Sequence, residues 1–277
     1  MYQLTAASRF QQENRQLPES VLTETIMTMV SHASVRQYKP DPVPEEALEA
    51  ILTAARSAST SSNLQMYSII VVRDPEHREQ LAQLSGDQDH IRQAPLFLVF
   101  VADLHRLEVV CQRQGYPLGD RYMEMFIQAV VDTALAAQNA AVAAESLGLG
   151  ICYIGAIRNR PLEVAQLLKL PPRTLALVGM TVGYPERPAK IKPRLPAEVT
   201  VHMEEYSDAA LEEGLAAYDN IMAETGIYKN REVPVDGQPG VTRLYGWCEH
   251  SARRMAKPHP TRREIKRTLE QLGWEFD

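Results

Sequence analysis

Val131-Asp132-Thr133-Ala134-Leu135-Ala136-Ala137-Gln138-Asn139-Ala140-Ala141-Val142-Ala143-Ala144-Glu145-Ser146-Leu147-Gly148-Leu149-Gly150 is the stretch on which the fold turns. It reads as the greater part of one long helix that begins near Asp120 and stops at the Gly148/Gly150 pair, where glycine ends helices readily. Ile151 to Ile154 follows as a short apolar strand, and Gly155-Ala156-Ile157-Arg158-Asn159 as a small-residue turn. Asp132, Gln138, Asn139 and Glu145 interrupt the apolar character where a bilayer core would demand continuity, so the helix reads as buried in a protein and not in a membrane. Its many alanines, apolar on several sides, predict a place at the centre of the fold or at an interface between copies.

Working outward, helices and strands alternate. A helix is expected from Val21 to about Val30, and a second opens at Pro44-Glu45-Glu46, with proline and acids in its first turn. That second helix carries Leu48, Ile51, Leu52 and Ala55 at i, i+3, i+4 and i+7. Ser57 to Asn63 is a polar loop, Met66 to Val72 a strand, and Glu76 to Leu84 a short helix. Pro95 to Ala102 is apolar without alternation, as in a strand covered on both faces. Pro161 to Leu168 is expected to be helical, Thr174 to Val182 a strand, and Ser207 to Thr225 a helix. Asn230 to Gly240 reads as a loop, and a basic stretch follows from Arg243. The order predicts an α+β architecture, a central mixed sheet flanked by helices. Residues 1–20 form an N-terminal extension and 21–277 one domain with a basic C-terminal segment.

A chain of 277 residues, 45% of them hydrophobic, has enough apolar surface for a sizeable core. Its net charge of -6 argues against nucleic acid or an acidic membrane as partner. Cys111, Cys152 and Cys248 are odd in number and without CxxC spacing, so neither a disulfide framework nor a metal site is expected. Met1 to Ser20 is polar with no apolar core of a signal peptide; a cytoplasmic protein is the expectation.

Two basic clusters carry the functional signal: His32-Ala33-Ser34-Val35-Arg36 and Lys192-Pro193-Arg194. Each gathers positive charge and hydrogen-bond donors suited to a phosphate. The turn after Cys152-Tyr153-Ile154 lets backbone approach a planar ligand. Phosphate donors and a close-approach turn together suggest a phosphorylated, flat cofactor, a flavin before others. Singly, each piece has an ordinary reading: His32 as a helix cap, Arg36 as a surface cation near Tyr38, Lys192 to Arg194 as a basic loop, and Ser59 to Asn63 as turn chemistry.

In combination the order resembles the nitroreductase superfamily, in particular its oxygen-insensitive NADPH nitroreductase and NADPH-flavin reductase subgroup. The pieces are His32 to Arg36, Ala54 to Gln65, Gly86-Asp87-Gln88, Val131 to Ala134, Ala137 to Ala140, Ala144 to Gly150, Tyr153-Ile154-Gly155 with Arg158-Asn159, and Lys192 to Pro196. The resemblance implies a homodimer that binds FMN, takes electrons from NADPH and passes them to a small-molecule acceptor. It places His32, Ala33, Ser34, Val35 and Arg36 along the FMN phosphate and ribityl chain, with Lys192 and Arg194 on the same phosphate. It implies further contacts from Thr60 and Gln88, and from Tyr153, Ile154, Gly155 and Ala156, whose turn lies near flavin N5. Arg243 and Arg262, with Arg263 adjacent, become candidates for NADPH.

No catalytic side chain is implied, because the flavin carries the hydride chemistry. Three positions depart from the pattern: Thr60 for serine, Asp87 for glycine, and Ala156 for a glycine that only a negative φ permits it to replace. Plausible acceptors are nitroaromatics, quinones, azo compounds or free flavin. The rival readings are a dehalogenase on the same fold and a nucleic-acid-binding protein using the basic tail, which lacks interleaved aromatics for stacking.

Overall fold

The computed structural model describes residues 19–119, 122–235, 237–257 and 259–276. The expected extension up to residue 18 and the expected helix start at Asp120 lie outside them. In chain order the first elements are α1 (Glu24–Val30), α2 (Glu45–Arg56), β1 (Tyr67–Val72), α3 (Pro75–Leu84) and α4 (Asp89–Gln93). Next come β2 (Leu96–Asp103), α5 (His105–Gln114), α6 (Met123–Ser146), β3 (Gly150–Ile154), α7 (Pro161–Leu167) and β4 (Thr174–Gly183). The remainder is α8 (Ala197–Thr200), α9 (Leu211–Glu224), β5 (Glu232–Pro234), β6 (Thr242–Leu244), α10 (Trp247–Ala256) and α11 (Ile265–Gln271). They fall into two compact units: residues 32–189 with 260–277, and residues 1–31 with 190–259.

The first unit is built on a sheet of order β1-β2-β4-β3. All three strand pairs are antiparallel, so the mixed sheet expected from the sequence is corrected among the described strands. β2 is buried along its whole length and alternates cleanly. Leu96, Leu98 and Phe100 join Leu48, Ile51 and Ala55 of α2 and Ala137, Ala140, Ala141 and Ala144 of α6 in one core. Phe97, Val99 and Val101 face the other way, onto Leu81 of α3, Ile91 of α4 and Val164 of α7. The sheet is therefore the middle of three layers, which is why β2 needs apolar side chains on both faces.

α6 turns its alanines inward against α2 and the sheet, and Asn139 Nδ2 donates to the Ala54 carbonyl at 3.0 Å across the helix pair. Small side chains allow that approach. The helix is long and apolar enough to cross a bilayer, yet Asp132 within it has no exposed surface. On its outer side Ile127, Val131 and Leu135, at i, i+4 and i+8, are 48%, 48% and 42% exposed. The C-terminal segment closes one end of the unit. Trp274 is buried against Phe126, ring centroids 5.0 Å apart, and its indole N–H donates to the Thr174 carbonyl.

In the second unit α9 packs on α10 through Tyr218 and Trp247, ring centroids 5.2 Å apart. Asp219 of α9 accepts the Cys248 N–H at 3.0 Å, capping α10. β5 and β6 form an antiparallel hairpin inside the stretch expected to be a loop from Asn230 to Gly240 and just beyond it. The helix expected from Ser207 begins at Leu211.

Candidate functional site

The first unit assembles most of the predicted residues around the end of β3. Val35 N–H donates to the Ile151 carbonyl at 2.8 Å, which lays the segment His32 to Arg36 beside that strand. The approach requires glycine at 150, since a Cβ there would lie 2.5 Å from Val35 Cγ2. Tyr38 locks the segment from below: its buried hydroxyl lies 2.7 Å from both the Val35 carbonyl and Thr181 Oγ1. Burial raises the Tyr38 phenol well above the usual tyrosine range, against the opposing effect of the Thr181 hydrogen bond.

His32 is held from α6, its Nδ1 2.5 Å from Glu145 Oε1. Arg36 is exposed and has no carboxylate partner among the described residues. It stands close enough to α4 that its charge, after burial, helps push His90 below the ordinary histidine range. The side chains of Val35 and Ile154 are buried in the core, leaving their backbone as the part that can meet a ligand. Tyr153 is turned toward α6, its hydroxyl 3.4 Å from Gln138, and burial raises its phenol.

The turn Gly155–Asn159 is a 3-10 turn in which Ala156 keeps a φ outside the left-handed region, as its side chain requires. Arg158 reaches back under this turn, donating Nη1 to the Leu177 carbonyl. It has no acid partner among the described residues, and burial lowers its pKa while the guanidinium stays charged. Asn159 Oδ1 accepts Arg262 Nε at 2.9 Å.

Gly86-Asp87-Gln88 forms a tight corner with φ of +80° at Gly86 and +55° at Asp87. An aspartate is among the few non-glycine residues that accept such a conformation, and Arg92 pairs with it, with Asp89 and with Glu79 to hold the corner. Gln88 donates Nε2 to the Ser85 carbonyl at 2.6 Å. Thr60 starts the 3-10 turn Ser61–Asn63, where Ser62, Asn63 and, just beyond, Gln65 have φ of +47°, +56° and +52°. Asp132 organises this strained loop: one carboxylate oxygen accepts Ser61 N–H at 2.8 Å, the other Met66 N–H at 3.0 Å. Sequence reasoning passed over Asp132, Glu145 and Tyr38 as site residues, since each acts on segments remote in the chain.

Lys192, Arg194 and Arg243 belong to the second unit. Arg194 is exposed and donates to the carbonyls of Lys192 and Pro193. It edges an open cleft of about 510 Å³ walled by Tyr218 and Trp247. Arg243 pairs with Glu249, which Arg253 also holds, and these two guanidiniums depress the Glu249 carboxyl. Arg36 and Arg158 of the first unit are thus cations without carboxylate partners among the described residues, donors that fit an anionic, phosphorylated ligand.

A three-layer α+β unit with uncompensated cations at a strand end and a small-residue turn beside them defines a binder of flat, anionic cofactors. Comparison with known proteins sharpens the class. Residues 29–184 match the nitroreductase family and 192–277 the nitroreductase family, C-terminal domain. The chain belongs to the nitroreductase family. It is 40% identical over 253 residues to an oxygen-insensitive NADPH nitroreductase of Salmonella typhimurium, covering 91% of this chain and 99% of that protein. It is 35% identical over 266 residues to an FMN reductase [NAD(P)H] of Bacillus subtilis, covering 92% and 100%. Its fold superposes on the NADPH:FMN oxidoreductase of Vibrio harveyi complexed with NAD+ with a TM-score of 0.79, at 33% identity over 91% of this chain and 98% of that one.

Proposed function

We propose that the chain is an FMN-dependent NADPH oxidoreductase that reduces small, flat, electron-poor acceptors such as nitroaromatics, quinones, azo compounds or free flavin. Family membership and the relatives' activities support the class. The observation that carries it in this chain is the Val35–Ile151 hydrogen bond, which sets the basic segment beside the strand leading into the Gly155-Ala156 turn.

Bound FMN supplies the two-electron relay between nicotinamide and acceptor. The protein's own part is to bind and orient. His32, Ser34 and Arg36 would hold the phosphate and ribityl chain by charge-assisted hydrogen bonds, with the backbone of Ala33 and Val35 lining it, and Lys192 and Arg194 are the further candidates for the phosphate. Thr60 and Gln88 would meet the polar edge of the ring, and the backbone from Tyr153 to Ala156 would lie against it. Arg158, beneath the turn, would add positive potential favouring an anionic form of a bound flavin. Arg243 and Arg262 are the candidates that would bind NADPH, and coenzyme and acceptor would bind in turn.

The working unit is a cytoplasmic homodimer. The exposed stripe of Ile127, Val131 and Leu135 on α6 supports a second copy as the cover for that face. Purified protein should be yellow, release FMN on denaturation, and give parallel double-reciprocal lines when NADPH and a quinone are varied. A colourless protein that does not take up FMN would overturn the assignment.

A further inference from the structure

Asn159 closes the small-residue turn and stands where three separate segments meet. Its Oδ1 accepts Arg262 Nε at 2.9 Å, across 103 residues of sequence. On the other side its Nδ2 would lie 3.4 Å from a Cβ at Gly86, so the amide rests against the corner that presents Gln88. An asparagine amide has distinct acceptor and donor ends, and turning it over would set N–H against N–H at Arg262. The side chain is therefore oriented by what it touches.

A bond at Nε, the inner nitrogen of the guanidinium, fixes the plane of the fork and the direction of its two terminal nitrogens. Recognition of phosphate or carboxamide by arginine depends on that plane. Among the described residues the neighbouring Arg263 has no such anchor: its side chain is 66% exposed and its Nε is 3.7 Å from Glu264 Oε1. Of two adjacent arginines, the fold holds one in a set direction at the turn.

We infer that Asn159 is the positioning residue for Arg262, presetting its guanidinium for the coenzyme; this rests on the reading of Arg262 as a coenzyme ligand. Preorganisation of this kind raises affinity by removing the ordering cost at binding, and it leaves the FMN site itself unaltered.

The test is a double-mutant cycle on the FMN-loaded enzyme, with KM for NADPH, kcat and FMN affinity measured for Asn159→Ala, Arg262→Ala and the double variant. Asn159→Ala should raise KM for NADPH about three- to tenfold, the scale of one hydrogen bond, with kcat and FMN affinity near wild type. The double variant should be no worse than Arg262→Ala alone. Arg262→Lys keeps the charge but has no Nε for Asn159, and should also raise KM.

Additive losses in the double variant, loss of FMN from Asn159→Ala, or a wild-type KM in Arg262→Lys would each overturn the positioning role. An unchanged KM in Arg262→Ala with FMN retained would instead remove Arg262 from coenzyme binding, and the inference with it.

Discussion

His32 of the basic segment and Glu145 near the end of α6 meet through Nδ1 and Oε1 at 2.5 Å, although 113 residues separate them. The contact ties a candidate phosphate ligand to the long helix whose alanines pack in the core, so that a residue remote in the chain helps to aim the imidazole. Glu145→Gln keeps the shape but removes the charge behind that bond. Hydrogen bonds to charged groups contribute about 1.5–3 kcal/mol, and a pair that retains some exposure belongs toward the lower end. Isothermal titration of apo-protein should show weaker FMN binding, and a thermal melt a modest loss. Unaltered FMN affinity would separate His32 from the cofactor.

Arg194→Ala should weaken FMN more than riboflavin, because the two ligands differ by the phosphate that the guanidinium would bind. The expected difference is about 1.5–3 kcal/mol, or roughly one to two orders of magnitude in Kd. Titrating the variant with both ligands measures it, and equal losses for the two would take Arg194 off the phosphate.

Ala140 has no exposed surface and packs in the core between α6, α2 and the sheet. Ala140→Glu buries a carboxylate without a partner and should cost more than about 3 kcal/mol, giving little folded protein. Val131→Lys with Leu135→Lys charges the exposed stripe of the same helix and should leave each chain folded but monomeric in sedimentation. A dimer that survives both lysines would place the interface elsewhere.

Alkaline pH provides a separate handle. Burial holds the phenols of Tyr38 and Tyr153 above the ordinary tyrosine range. A group whose pKa is raised on folding contributes its full stability below the unfolded value, about 10 for tyrosine, and loses it as pH climbs toward the folded value. Melting temperature should therefore fall from about pH 10 upward. Tyr38→Phe should melt lower at pH 7, by the one or two hydrogen bonds it forfeits at about 1 kcal/mol each, and decline less steeply above pH 10.

Much of the three-layer unit was legible because its signals are local. The unbroken apolar run of β2 and the alanine spacing of α6 depend only on neighbours along the chain. α5 escaped notice because His105 to Gln114 fully buries no residue and its apolar stripe of Leu107, Val110 and Cys111 is short. β5 and β6 escaped because three-residue strands beside Pro234 and Gly240 resemble a loop. The antiparallel order of the sheet is a long-range choice with no periodic trace. The same division runs through the site. The basic segment, the glycine corner and the turn after β3 announce themselves by residue type, whereas the groups that aim them, Glu145, Asp132 and Asn159, are ordinary helix or turn residues until their distant partners are known.

Asp132 sets a rule of length. Its two oxygens grip Ser61 and Met66 from a single side chain, so the residues between form a closed loop whose circumference is fixed by the reach of one carboxylate. Side chains at positions 62 to 65 take no part in that grip, although the positive φ at 62, 63 and 65 limits which residues can stand there. One residue added or removed would carry an amide out of range and strand a buried charge, so the length of this stretch is held as firmly as its conformation.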